Sequence, residues 1–503
     1  DCKGFVICLT PSCSLARPRR QAAHGAQDTR TEPHRIAGRQ TPRLLSLSSV
    51  HVDPEAAPSP HSKGAGTTPV DMAVVSASNH SQLTQVLIIR TPIMASRSIL
   101  SSRCQRLARG TTLQRRVLPL TSWSSTAAMS HNAWIGAKGP GSLDLRSDVM
   151  TTPTPSMLAA VQACSLLDDV FREDHTTADL ESHVAALSGK EAGLFVLSGT
   201  MGNQLALRSL LVQPPHGLLC DHRSHIIKYE AGGVSSLTGA TVCPVVPKNG
   251  MHLTLEDVTA NVILGEDVHS CPTRVISLEN TLDGMIMPLS EVKRISEFAR
   301  QHGIKMHCDG ARLWEAVAAG AGSLPEFCSH FDTVSLCFSK GLGAPVGSLL
   351  VGSQETLRHA RWVRKSIGGG LRQPGVVTAA ARVAVDETFG KAPDGSSGLL
   401  KGSHDMAKKV EALWTGMGGT LVHPAHTNMC WLDLDSARCS EERFIQLSAD
   451  AGLKVMGPRL VTHYQVAQNG DEVLRRLEHV FKAVFAEPEE VKADVGEKSM
   501  YRS

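Results

Sequence analysis

The sequence is poor in aromatic residues and has no long apolar run. Phe, Trp and Tyr together make up 4% of the 503 residues, so a folded core has to be packed mainly from aliphatic side chains. No apolar run approaches the roughly 20 residues that a transmembrane helix needs. We therefore expect a globular chain without a membrane partner.

Closely spaced cysteine pairs are also absent. The 13 cysteines are odd in number and widely spaced, and none forms a Cys-x-x-Cys pair. This pattern predicts free, buried thiols in a reducing, intracellular compartment. We expect no bound metal.

The charge is unevenly distributed along the chain. The net charge is +3, but residues 1–143 hold 17 Lys and Arg against 6 Asp and Glu, whereas the remainder holds 34 against 42. The later part is therefore mildly acidic and offers no electrostatic case for a nucleic-acid partner.

Residues 1–143 resemble a leader rather than a domain, because Pro, Ser, Arg and Gln dominate and hydrophobic periodicity is poor. From Met94 the leader is rich in Arg and Ser, and no acidic residue occurs between Asp71 and Asp144. These features are typical of a mitochondrial transit peptide. A disordered tail, or translation from upstream of the true start, is the alternative. The expected location is the cytosol or the mitochondrial matrix.

Alternating helix and strand patterns begin at Asp144. The predicted strands are 192–197, 275–278, 304–308, 333–338 and 428–434, and the predicted helices are 177–187, 201–211, 290–301 and 471–485. Strands separated by helices indicate a mostly parallel sheet in a three-layer α/β domain. We place this large domain at 144–385, a smaller α+β domain at 386–486 and a tail at 487–503.

Lys340 follows a predicted strand and enters a glycine-rich turn, Ser339-Lys340-Gly341-Leu342-Gly343. A lysine in this setting can act as an amine nucleophile toward a carbonyl. Asp309 follows the preceding predicted strand. A carboxylate and an amine at neighbouring strand ends are what pyridoxal phosphate requires, one for its ring nitrogen and the other for its aldehyde.

Three further groups can complete such a site. Ser198, Gly199 and Thr200 form a strand-to-helix turn whose backbone N–H groups suit a phosphate. The imidazole of His225 can stack on a pyridine ring. Arg312 can contact the ring hydroxyl or a substrate carboxylate. For each of them a purely structural role remains an alternative at this point.

Basic residues near the glycines 368–370 form a second candidate group. Lys365 and Arg372 flank this glycine run and can bring cations to the phosphate, even that of a neighbouring subunit. Arg459 is a candidate clamp for an amino-acid carboxylate. An exposed basic loop is the alternative for the first pair.

Together these segments resemble the threonine aldolases, a branch of the fold-type-I pyridoxal-phosphate enzymes with an aminotransferase-like fold. The match runs from about residue 144 to residue 466. It includes 198–204, 229–233, 278–281, 309–313, 339–348, 368–375 and 459–463 in the family's order. No single segment is specific, but their order is.

The resemblance implies a role for each candidate residue. Lys340 binds the cofactor covalently, Asp309 pairs with the ring nitrogen and His225 stacks over the ring, and these three are the catalytic candidates. Cofactor binding further involves Ser198, Gly199, Thr200, Arg312, Lys365 and Arg372. The substrate carboxylate is assigned to Ser147, Arg312 and Arg459.

The implied activity is cleavage of L-threonine or L-allo-threonine to glycine and acetaldehyde, in threonine catabolism and glycine biosynthesis. The family also implies a homo-oligomer, a dimer or a tetramer. A β-eliminating lyase, an aminotransferase and a catalytically inactive homologue are the alternatives.

The sequence departs from the family pattern at two places. Some members carry histidine where this chain has Leu282, so position 282 cannot supply an acid–base group here. His225 or a phosphate-bound water is then the candidate base. The family often has tyrosine and glycine where Phe171 and Arg172 stand, so a phenol contact is lost at position 171.

Overall fold

The computed structural model describes residues 140–486, and the predicted tail and nearly all of the predicted leader lie outside them. Seven strands form the main sheet. They are β1 (Ala192–Val196), β2 (Gly217–Asp221), β3 (Thr241–Val245), β4 (Thr273–Glu279), β5 (Lys305–Gly310), β6 (Thr333–Cys337) and β7 (Ser348–Gly352).

The strand order in this sheet is β1-β7-β6-β5-β4-β2-β3. Strand β7 is antiparallel to both of its neighbours, and the other strands all run in one direction. Six carboxyl ends therefore meet at one edge of the sheet. The mostly parallel α/β fold predicted from the sequence is confirmed.

Fifteen α-helices lie within the described range. They are α1 (Pro155–Gln162), α2 (His175–Ser188), α3 (Gly199–Leu210), α4 (His225–Lys228), α5 (Gly233–Thr238), α6 (Leu255–Asn261), α7 (Leu289–Gln301), α8 (Leu313–Ala318), α9 (Leu324–Ser329), α10 (Gln354–Ser366), α11 (Gly375–Ala384), α12 (Leu400–Gly416), α13 (Glu441–Asp450), α14 (Tyr464–Gln468) and α15 (Gly470–Ala486). A π-helical turn, Val385–Phe389, continues α11, and 3₁₀ turns occupy Pro140–Leu143, Asp148–Met150 and Asp435–Ala437.

Alternate residues of the strands face different helices, which gives the three layers. On β1, Leu194 and Val196 pack with α3 and α10, whereas Phe195 faces the other side of the sheet, which α2 covers. This division follows from the period of two in a strand. Both faces of the sheet are thus covered, as the buried apolar strands require.

Side-chain caps set the start of several helices. The Asp174 carboxylate accepts a hydrogen bond from Thr177 N at 3.1 Å and begins α2. The Ser198 hydroxyl accepts one from Met201 N at 3.2 Å and begins α3. These caps satisfy backbone donors that a helix start leaves without a partner.

A second, antiparallel sheet lies in the C-terminal part. It has the order β10-β9-β8, with β8 (Thr420–Leu421), β9 (Met429–Asp433) and β10 (Arg459–Val461). Its core contains Trp414, whose ring centroid lies 4.9 Å from that of Phe481 on α15. The predicted domain boundary near residue 386 stays a prediction.

Every predicted strand and helix is present within two residues of its predicted ends. The main core is built largely from Leu, Val, Ile, Ala and Met, as the low aromatic content predicts. The nine cysteines of the described range are all free thiols. Within that range no helix combines the length and the apolar character that crossing a membrane requires.

Candidate active site

Four polar residues, three of them candidates from the sequence, lie at the sheet edge where the parallel strands end. Ser198 follows β1, Glu279 ends β4, Asp309 lies near the end of β5, and Lys340 follows β6. Ligands of open α/β sheets bind at this edge. The convergence expected from the strand pattern is therefore present in the fold.

Lys340 lies in a tightly packed loop. Its carbonyl oxygen accepts a hydrogen bond from Thr151 Oγ1 at 3.2 Å. A Cβ on Gly341 would lie 2.2 Å from Glu315 Oε1, and Gly343 has φ +86° and leaves no room for a Cβ beside Tyr464. Only glycine fits at these two positions, and the loop holds the lysine in one place.

The Asp309 carboxylate is buried and accepts one hydrogen bond from the protein at each oxygen. Its Oδ2 accepts from Asn203 Nδ2 at 2.7 Å and its Oδ1 accepts from Ala311 N at 3.1 Å. Glu279 is its register partner on the neighbouring strand. Burial, and then repulsion from Asp309, raise the pKa of Glu279 well above its usual value.

His225 begins the one-turn helix α4 and is held by two carboxyl groups. Its backbone N–H donates to Glu279 Oε2 at 2.8 Å, and its ring Nδ1 lies 2.9 Å from Glu230 Oε1. Burial raises the pKa of Glu230 above its usual value, partly offset by the hydrogen bond with His225. A carboxyl group behind an imidazole orients the ring for proton transfer.

The predicted phosphate site is the start of α3. Ser198 is its cap, Gly199 and Thr200 are its first two residues, and the first turn contains no acidic side chain. A Cβ on Gly199 would have Ser348 Oγ as its nearest neighbour, at 3.8 Å, so the approach is open. The helix dipole and the N–H groups there favour an anion.

Arg312 makes a bidentate ion pair with Asp148. Its Nε and Nη2 donate to the two carboxylate oxygens at 2.8 and 2.7 Å, and Asp148 is fully buried. Burial alone would raise the pKa of Asp148. The nearby charge of Arg312 outweighs burial and holds this pKa well below its usual value. Ser147 caps the 3₁₀ turn that carries this aspartate. The proposed substrate and cofactor contacts of Ser147 and Arg312 stay predictions.

The two cations predicted to reach the phosphate, Lys365 and Arg372, have different surroundings. Arg372 Nη1 donates to Asp168 Oδ2 at 2.7 Å, and the side chain is 57% exposed. The Lys365 amine folds over Gly370. The structure thus does not place either cation against Ser198 or Thr200, and their phosphate contacts stay predictions.

Arg459 lies on β10, with its guanidinium 5.7 Å from the Trp431 ring centroid. Its Nη2 donates to the Arg146 carbonyl oxygen at 3.1 Å. Stacking on an indole fixes an arginine side chain while leaving it charged. Its role as a carboxylate clamp remains a prediction.

The structure also describes the positions at which the sequence departs from the family pattern. Leu282 is buried beside the end of β4, and Phe171 is 71% exposed. Arg172 has φ +61°, a left-handed conformation that favours glycine, the residue that the resemblance implies at this position.

Sequence reasoning gave no role to four side chains that complete the site. Asn203, Glu230 and His307 join Asp309 and His225 in one hydrogen-bonded chain, and Asp148 holds Arg312. One signal was available: His307 lies two residues before Asp309, so both side chains point to the same face of β5. The other three depend on contacts between separate elements.

The buried His307 should make the stability of the folded protein depend on pH in the acid range. Burial lowers its pKa from 6.5 to about 4 in the folded protein. Between these values the unfolded chain binds a proton that the folded protein does not, so stability falls as the pH falls from 6.5 to 4. The loss approaches about 3 kcal/mol, at about 1.4 kcal/mol per pH unit.

Urea unfolding at a series of pH values should show this loss in the wild type and not in His307→Gln. The difference in stability between the two proteins should shift in favour of the variant as the pH falls. His269→Gln is the matched control, because the His269 side chain is 88% exposed. Parallel pH curves for wild type and His307→Gln would refute the prediction.

Comparison with known proteins points to one family, whose members carry different activities in their names. Residues 144–437 match the beta-eliminating lyase family. The chain is 56% identical over 340 residues to aldolase vrtJ of Penicillium aethiopicum, covering 68% of this chain and 85% of that protein. It is 47% identical over 339 residues to alanine racemase TOXG of Cochliobolus carbonum, covering 67% and 87%.

A probable low-specificity L-threonine aldolase of Schizosaccharomyces pombe is 44% identical over 335 residues, covering 66% of this chain and 86% of that protein. Among solved structures, the threonine aldolase of Leishmania major superposes with a TM-score of 0.57 at 19% identity, covering 68% of this chain and 99% of that one. This last likeness concerns the fold alone.

Proposed function

This chain belongs to the threonine aldolase family, and we propose that it cleaves L-threonine and L-allo-threonine to glycine and acetaldehyde. It is a pyridoxal-phosphate-dependent enzyme and a carbon–carbon lyase. The observation that carries the proposal is the convergence of Lys340, Asp309 and the start of α3 at one sheet edge.

The residues at this edge fit pyridoxal phosphate. Within the described part of the chain, the Lys340 amine makes no hydrogen bond or ion pair, so it is available to the cofactor aldehyde. The Asp309 carboxylate is fixed by two donors and suits the ring nitrogen. The start of α3 offers open backbone donors for the phosphate.

When bound, pyridoxal phosphate supplies an electron sink for the bond that breaks at the substrate Cα. In our proposal Lys340 holds the cofactor, and Asp309 keeps the ring nitrogen protonated. His225 would lie beside the cofactor ring. The substrate carboxylate is bound by Arg459 and Arg312, with Ser147 at its side.

The proton of the substrate hydroxyl needs an acceptor, and Leu282 cannot provide one. We assign this role to His225, because Glu230 engages its Nδ1 and leaves Nε2 for the substrate. The ring is 32% exposed, which leaves it accessible to a ligand. Glu279 fixes the same residue through its backbone N–H. Two carboxyl groups thus hold the proposed base in place.

Alanine racemisation is the second candidate function, since a relative of 47% identity is named for it. Both reactions begin by breaking a bond at the substrate Cα and use the same electron sink. They differ in the bond that breaks, Cα–Cβ for the aldolase and Cα–H for the racemase. Both reactions need a base, the aldolase for the β-hydroxyl proton and the racemase for the Cα proton, so the reaction products decide between them.

The test is to incubate the purified enzyme and pyridoxal phosphate with L-threonine, L-allo-threonine and L-alanine in separate reactions. We expect equal amounts of glycine and acetaldehyde from the first two substrates. Keto acid with ammonia would indicate β-elimination, and D-alanine would indicate racemisation. If either of these products dominates, or if no substrate is turned over, the proposed activity is wrong.

Three further expectations accompany this proposal. We propose that the chain forms a homo-oligomer, that it acts in threonine catabolism and glycine formation, and that its small domain begins near residue 386. Light scattering on the holoenzyme tests the first of these directly.

A further inference from the structure

Asn203 on α3 connects the two carboxyl groups of the site. Its Nδ2 donates to Asp309 Oδ2 at 2.7 Å and to Glu230 Oε1 at 2.9 Å. The residue is 1% exposed. One amide group therefore donates hydrogen bonds to two buried acids. In the proposed chemistry one acid, Asp309, serves the cofactor ring nitrogen, and the other, Glu230, orients His225.

The orientation of this amide is fixed by a second pair of residues. Asn203 Oδ1 lies 3.2 Å from His307 Nε2, and His307 Nδ1 lies 2.9 Å from Thr333 Oγ1. Turning the amide over would place its oxygen against two carboxyl groups and its N–H groups against the imidazole. The hydrogen bonds thus choose one orientation.

The protonation of His307 follows from the same contacts. Burial lowers its pKa to about 4, so the ring is neutral at physiological pH and carries a single proton. Because Asn203 Oδ1 can only accept, that proton is on Nε2. The Thr333 hydroxyl then donates to Nδ1, so the contacts among Asn203, His307 and Thr333 each have a defined donor and acceptor.

We propose that Asn203 is a positioning residue that holds Asp309 for the cofactor ring nitrogen and Glu230 for His225, and that His307 and Thr333 fix its orientation. This inference rests on the proposed function. Asn203 contacts neither substrate nor cofactor in this account. It acts by keeping two like-charged groups at a set separation and by aiming each of them at a different partner.

The Asn203 amide also occupies the space between the Glu230 and Asp309 carboxyl groups. Ligating atoms of His225, Glu230 and Asp309 lie within 4.8 Å of one another, a spacing that a metal ion could bridge. The Asn203 nitrogen is within hydrogen-bonding distance of both carboxyl groups and takes the bridging position. His225, Glu230 and Asp309 therefore form a hydrogen-bonded unit with Asn203.

The test uses Asn203→Asp, which removes both donors and adds a third acid, and Asn203→Leu, which removes the donors with little change in size. We expect the Kd for pyridoxal phosphate, measured by equilibrium dialysis, to rise about ten- to a hundredfold. The visible absorption of the bound cofactor should also titrate at a different pH.

Asn261→Asp is the matched control, because Asn261 Nδ2 donates to the Asp257 carbonyl oxygen on α6, away from the site. Its cofactor affinity and spectrum should equal those of the wild type. If both Asn203 variants bind the cofactor within about twofold of wild type and show its pH titration, the inference is wrong while the proposed function stands.

A measurement on the cofactor-free wild-type protein covers the case in which the Asn203 variants do not fold. Nitrogen-15 NMR of histidine-labelled protein should show His307 as the Nε2–H tautomer at neutral pH. The Nδ1–H tautomer, or a protonated ring, would overturn the inference. A wild-type protein that binds no pyridoxal phosphate would overturn the inference together with the proposed function.

Discussion

Lys340→Ala should lose the visible absorption of the bound cofactor and lower kcat for threonine cleavage by at least about a hundred- to ten-thousandfold. The alanine removes the amine that holds the cofactor and that exchanges with the substrate amine. The fold should persist, because the contacts of this loop are made by the Lys340 carbonyl oxygen and by the neighbouring glycines.

Lys305→Ala is the control for this change. Lys305 lies at the start of β5, at the other end of the sheet, where its amine contacts Asp332 at 2.9 Å and its side chain is 55% exposed. Its removal should leave the spectrum and kcat unchanged. A Lys340→Ala protein with wild-type absorption and turnover would show that another residue holds the cofactor.

Asp309→Asn should lower kcat/KM by about tenfold to a thousandfold, with a smaller effect on folding. A neighbouring carboxylate raises the pKa of a cationic nitrogen by about one to three units, so its loss leaves less of the ring nitrogen protonated. The amide has the same size, and its oxygen can still accept from Asn203 or from Ala311 N.

Two measurements separate this effect from general damage. The cofactor absorption should respond to pH differently in Asp309→Asn, whereas urea unfolding should change little. Asp332→Asn is the matched control, since Asp332 accepts from Met306 N at 2.8 Å at the far end of the same strands. An Asp309→Asn enzyme within a few-fold of the wild-type kcat/KM would contradict the ring-nitrogen assignment.

The sequence predicts the sheet edge well because its signals are local. Predicted strands that end at residues 308 and 338 have to share one edge once the strands are parallel, and this pattern alone places Asp309 and Lys340 together. Ser198 follows from the same reasoning, since a hydroxyl residue between strand and helix is a helix cap.

Strand β7 shows what the local signals leave out. Residues 338–347 form a short connection, so the chain reverses and β7 pairs with β6 in antiparallel fashion. A parallel neighbour would need a longer crossover. The sequence pattern identified the glycine-rich turn but did not predict that a strand follows it.

The hydrogen-bonded residues of the site are the larger omission. Asn203 comes from α3, Glu230 from the segment after α4, and His307 from β5. Their contacts span more than 20 positions in sequence and depend on how the helices lie on the sheet. Only His307 is marked by periodicity, through its spacing of two from Asp309, and buried polar groups such as Asn203 and Glu230 are satisfied only by tertiary contacts.

Borohydride reduction of the holoenzyme, followed by proteolysis and mass spectrometry, tests the central claim most directly. Reduction makes the link between the cofactor and its lysine permanent, so the modified peptide identifies the residue. The account predicts that the cofactor is found on the peptide that contains Lys340. Cofactor attached to Lys365 or to any other lysine, or to none, would contradict it.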